Sequence, residues 1–152
     1  MYHYLLIAHT YTRWLVLFSL LFTLTRFTIR SLQRKPFTNL DNLARHGTAT
    51  IIHLQLIIGI GLFTQTPLNK VFWNSDPLPF ENMELNFYNI FHPLVMLLTT
   101  VIISIGSALA KRKQNDADKY KTTVLFFGLG LLLIFLAIPW PFSPFANRPF
   151  IR

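Results

Sequence analysis

The sequence predicts an all-α integral membrane protein, a four-helix bundle in up-down-up-down order with both termini on the outer side. Three observations carry this reading. Apolar segments at residues 4–26, 48–64, 88–110 and 123–140 each approach the roughly 20 helical residues needed to cross a hydrocarbon core of about 30 Å. The composition, 52% hydrophobic and 15% aromatic against 13% charged over 152 residues with a mean hydropathy of +0.41, is too apolar for a water-soluble single domain. The basic residues also gather in alternate connections: Arg26, Arg30, Arg34, Lys35 and Arg45 in one, and Lys111, Arg112, Lys113, Lys119 and Lys121 in the other. Ten of the 14 Lys and Arg thus lie in two loops, which the positive-inside rule places in the cytoplasm.

The net charge of +8 is therefore a topology signal rather than a nucleic-acid footprint, since no basic face interleaved with aromatics occurs and no nucleic-acid partner is expected. With no cysteine, disulfides, iron-sulfur clusters and covalent haem attachment are excluded, so a redox centre would rest on other side chains. Met1-Tyr2-His3-Tyr4 lacks the basic start of a cleavable signal, and the apolar run continues past Trp14, so the first helix is expected to be retained.

In chain order, helices are predicted at about 4–26, 46–65, 88–110 and 121–139 within one domain spanning 1–152. Cytoplasmic loops are expected at about 27–45 and 111–120, an outer loop at about 66–87, and a Pro-rich outer tail at 139–152. Thr38-Asn39-Leu40-Asp41 carries helix-start chemistry for the second helix. Pro67, Pro77 and Pro79 with Trp73 suit an outer interfacial crossing. Pro93 follows His92 directly and is best tolerated in a first helical turn, so His92 is expected near the outer start of the third helix, or at a kink if that helix begins earlier. Pro139, Pro141 and Pro144 end the fourth helix, with Trp140, Phe142 and Phe145 at the interface.

Polar residues inside these spans are the candidates for chemistry. His9 and Arg13 are i,i+4 neighbours on one face of the first helix. His53 and His92 fall in or beside two other apolar helices, whereas His3 and His46 lie at the membrane edges. A haem b held by two histidines from separate helices would satisfy buried imidazoles, and helix-to-helix hydrogen bonding is the plain alternative. At about 1.5 Å per residue, His9 and His92 both come out within roughly 10 Å of the outer surface, and His53 roughly 15 to 20 Å down. His9 and His92 are thus the matched pair of axial iron ligands, with His53 the alternative ligand. His53 with Met96 is a weaker pairing, because a thioether can ligate iron but methionine is more often a gap-filler. The fourth helix has no histidine, so one haem rather than two is expected. Asp41, Asp76, Glu81, Glu84, Asp116 and Asp118 all lie outside the apolar runs. A haem propionate, a lipid phosphate or a quinone oxygen would match Arg13 at its depth; snorkelling or bonding to backbone carbonyls is the other reading.

At His9-Thr10-Tyr11-Thr12-Arg13-Trp14, Asp41-Asn42, Ala44-Arg45-His46, Thr48-Ala49-Thr50 with His53 and Gln55, His92, Ile105-Gly106-Ser107 and Ile138-Pro139-Trp140-Pro141-Phe142, the chain resembles small bacterial four-helix membrane proteins of the cytochrome b-like type. The likeness spans nearly the whole chain. It implies a haem-associated, respiratory-type protein of the bacterial inner membrane. Some small membrane protoporphyrinogen oxidases also look similar in length and in having a first-helix histidine.

The expected function is haem b-dependent electron transfer between quinol or another membrane donor and a partner at the outer face. The alternatives are a cofactor-free accessory subunit of a larger membrane complex, and an oxidoreductase acting on quinone or porphyrin. An electron carrier or complex subunit is favoured over a stand-alone enzyme. The expected company is the lipid bilayer with other subunits of a respiratory complex or further copies of the chain.

Overall fold

The computed structural model describes residues 1–143, and these are all-helical apart from turns. The elements are α1 (Tyr2–Leu32), α2 (Asn39–Gln65), the short α3 (Pro67–Trp73) and α4 (Met83–Asn86), a π-helical turn (Phe87–Phe91), α5 (His92–Arg112) and α6 (Asp116–Ala137). The expected tail beyond Ser143, with Pro144 and Phe145, lies outside the described residues.

α1, α2, α6 and the continuous helical stretch Met83–Arg112 are each long and apolar enough to cross a membrane. Their outward faces carry large apolar side chains: Phe18, Leu21, Ile57, Leu98, Val101, Leu125, Leu132 and Leu136 are all exposed. Such a surface matches hydrocarbon rather than water, and the chain is a multi-pass membrane protein in contact with the lipid bilayer. Around the bundle α1 packs on α2, α2 on α5, α5 on α6 and α6 back on α1. This leaves α1 and α5 diagonal and running the same way. The core lies among Val16, Leu17, Leu20, Ala49, Ile52, Ile103, Phe127 and Ile134. Gly106 and Gly130 let α5 and α6 close on each other, because a Cβ at Gly106 would strike Phe126 and one at Gly130 would strike Ile103.

The helices run further than the apolar composition does. The loop expected at 27–45 shrinks to residues 33–38, because three of the charges that marked it as solvated, Arg26, Arg30 and Arg45, are bonded within the protein. Asp41 is fully buried. Its carboxylate meets Arg26 Nε at 2.7 Å and Arg30 Nε at 3.2 Å. It also accepts from the Tyr120 hydroxyl at 3.0 Å and from the Thr38 backbone N–H at 2.8 Å. Thr38 and Asp41 form a reciprocal capping box at the start of α2. Phe27 packs edge to face with Phe37 and with Tyr120, and Phe37 and Tyr120 lie tilted against each other, around this cluster. Arg45, expected in the same loop, is buried on α2; it donates to the Ser107 carbonyl at 2.7 Å and to Asn42 Oδ1 at 2.6 Å. The loop expected at 111–120 likewise contracts, since Asn115 caps α6 by accepting from the Ala117 N–H at 2.9 Å.

On the opposite end, the stretch expected as an outer loop at 66–87 is partly helical. α3 folds against the π-turn and α4 and buries Phe72 completely. The third helix starts before His92, and the π-turn precedes Pro93. The backbone N–H of His92 reaches the Phe87 carbonyl, one residue further back than in an α-helix. The wider turn accommodates the proline, which has no N–H to place in the α-helical ladder.

Asp41→Ala should leave Arg26 and Arg30 without their acid and Tyr120 without an acceptor. The expected loss is about 3 kcal/mol of stability, as for removal of one member of a buried ion pair. Reversible unfolding in mixed micelles measures it, and an unchanged midpoint would sink the role assigned to this cluster.

Candidate functional site

Where the inner half of the bundle is tied by polar links, the outer half encloses a cavity of about 360 Å³. That size is in the range of small-molecule and cofactor sites. α1 contributes His9 and Arg13, α2 Gln55 and Gly59, the π-turn Tyr88, and α5 His92, Met96 and Thr99; the rest of the wall is largely aliphatic. Four of the five residues singled out from the sequence thus line one space.

The two imidazoles face each other across the diagonal of the bundle. The ring centres of His9 and His92 are 6.3 Å apart, with the planes inclined by 74°. His92 Nδ1 lies 2.7 Å from the Ala137 carbonyl, a bond that only Nδ1–H can donate. The lone pair is therefore on Nε2, the form an imidazole needs to ligate a metal. His9 is held from its backbone side by Gln55, whose Nε2 donates to the His9 carbonyl at 3.0 Å and lies 3.4 Å from His9 Nε2. Thr12 donates to Gln55 Oε1 in turn. His9 Nδ1 is buried with no hydrogen-bond partner among the described residues. Gly59 makes room for this ring, since a Cβ there would sit 3.2 Å from His9 Cε1. The Arg13 guanidinium lies over the Trp14 ring, 5.3 Å from its centre.

His53 is elsewhere. Its Nδ1 bonds the Ala49 carbonyl at 2.7 Å, and its Nε2 pairs with Ser104 Oγ at 3.1 Å, joining α2 to α5 below the cavity. Met96, one turn beyond His92, lines the cavity with the histidines and not with His53.

A bare metal ion finds no home here: among the described residues no group of three or more His, Cys, Asp or Glu could hold one. A porphyrin asks less, because its own nitrogens fill four positions and leave two axial ones to the protein. His9 and His92, with ring centres 6.3 Å apart, are the residues that would hold such a group. The cavity wall thus brings two imidazoles and one guanidinium together in a largely aliphatic lining.

Gln55, Gly59 and Thr99 were not assigned roles at the sequence level. Gln55 offered one signal, a carboxamide inside an apolar run where it needs a protein partner. Gln55→Leu should remove the tie between α2 and His9, costing about 1–3 kcal/mol through the groups left unsatisfied. Unfolding in mixed micelles reads this loss; a variant as stable as the parent would show the tie to be dispensable.

No family model matches the chain, and no curated protein or solved structure matches it either.

Proposed function

We propose that this chain is a haem b-binding protein of the bacterial inner membrane, active in respiratory-type electron transfer between quinol or another membrane donor and a partner at the outer face. The observation that carries the reading is the placement of His9 and His92, 6.3 Å apart on opposite sides of one apolar cavity. When bound, the haem would supply a one-electron couple. His92 offers Nε2 while Ala137 holds its other nitrogen. Gln55 fixes the backbone that carries His9. Arg13 brings a positive charge to the cavity wall that suits the acid edge of the ligand. The aliphatic remainder excludes water.

A second reading is a cofactor-free accessory subunit of a larger membrane complex. It is favoured by the links Arg45 to Ser107 and His53 to Ser104, which join helices without any cofactor.

A reduced-minus-oxidised spectrum of the purified protein separates the two. A b-type α-band is expected in the parent and in His53→Ala, but lost in His9→Ala and in His92→Ala. A parent without the band, or a band that survives both cavity substitutions and disappears in His53→Ala, would refute the assignment.

Orientation is read from the ten basic residues in and beside the two connections at one end of the bundle. A protease site inserted between Arg34 and Lys35 should be cut only from the cytoplasmic side of membrane vesicles, and a reporter ahead of Met1 should respond from the outer side. The reverse pattern would invert the bundle.

A further inference from the structure

The cavity is not sealed evenly. The parts of its wall contributed by α1 and α6 are buried or half-buried. Among the described residues, three of those that line it are exposed: Ile60 on α2, and Leu94 and Leu97 on α5. These flank a single seam, between α2 and α5, which is the loosest of the four neighbouring helix contacts. The polar bonds across that seam, Arg45 to Ser107 and His53 to Ser104, lie in its inner half. Above them α2 and α5 contribute Leu56, Gly59, Pro93 and Leu97 to the cavity wall, none of which can form a side-chain hydrogen bond.

The far end of the cavity is polar. Thr99 is 1% exposed, and its Oγ1 has no hydrogen-bond partner among the described residues. Its neighbour Thr100 returns its hydroxyl to the Met96 carbonyl at 2.9 Å, the usual resort of a threonine inside a helix. Thr99 lies about 10 Å along α5 from His92, and Arg13 about 6 Å along α1 from His9. Because α1 and α5 run the same way, both displacements point inward. An amphiphile in this cavity would therefore meet the histidines with its middle, while its acceptor edge met Thr99 and Arg13.

We infer that the cavity is filled sideways from the bilayer, through the seam between α2 and α5. This rests on the reading of the cavity as a haem site, and the occupant is that haem, drawn from the lipid phase. The exposed rim is hydrocarbon, Ile60, Leu94 and Leu97, so a water-borne solute finds no polar group at the entrance, whereas a lipid-dissolved ring system crosses it between apolar side chains and meets the polar wall only inside.

Two measurements on the full chain in lipid vesicles test this. Since the sequence has no cysteine, Met96→Cys carries a single bimane fluorophore into the cavity. Brominated phospholipids should quench it more strongly than aqueous iodide does. In parallel, apoprotein is mixed with vesicles preloaded with haemin. Leu97→Trp should take it up several-fold more slowly than the parent, while Leu129→Trp, on the lipid-facing side of α6, should match the parent. Iodide quenching that exceeds bromolipid quenching, or equal uptake by the two tryptophan variants, would overturn the lateral route. A parent that takes up no haemin yet shows the bromolipid quenching would refute the haem reading and support the route.

Discussion

A bilayer offers no hydrogen bonds, so each polar group inside this bundle has to find its partner within the protein or in something the protein binds. The two halves of the molecule meet that demand differently. At the inner end, Asp41 gathers Arg26, Arg30, Tyr120 and the Thr38 backbone around one carboxylate, and Arg45 spends its donors on Ser107 and Asn42. That end is closed. At the outer end, His9 Nδ1 and Thr99 Oγ1 are buried without partners among the described residues, beside a cavity. The firmly tied inner end is what allows the outer end to stay open without the helices collapsing into the space.

The sequence made the spans legible because length and apolarity are local properties, and the basic clusters because they are local too. The capping chemistry at Thr38 and Asp41 was equally local and appears in the structure as a capping box. The inner ends of the helices were harder to read. Arg26 and Arg30 resemble loop residues until Asp41, fifteen and eleven positions later, is brought against both, and Tyr120, ninety positions later, against Arg30. No window of composition can see that such charges are neutralised inside, so the first helix runs on to Leu32 and the loop contracts. Gln55 escaped assignment for the same reason, since its partners His9 and Thr12 lie on another helix.

Because α-helical rise is constant, position along a helix can be counted from the sequence. His9 and His92, placed at similar depths by arithmetic alone, line one cavity, and His53, counted deeper, lies below it against Ser104. The count could not supply direction around the helix axis, and here the π-turn intervenes. A turn that closes on the fifth residue instead of the fourth carries one extra residue, which rotates everything after it by about 100° relative to what precedes it.

That rotation falls at Phe87–Phe91, immediately before His92. It lets Asn89 point back to bond the Leu85 and Leu68 carbonyls, at 2.8 and 3.4 Å, and so anchors α3 over the outer end. His92, Met96 and Thr99 meanwhile share the inward face of α5 along the cavity. Pro93 makes the turn consistent with the chain, since the donor it lacks is one that a regular helix would have required there. One local irregularity thus serves two purposes: it secures the outer covering segment and aims the third helix's histidine at the histidine of the first. The same residues in an uninterrupted α-helix could not do both, because the face that meets α3 and the face that meets His9 would be out of register by one residue.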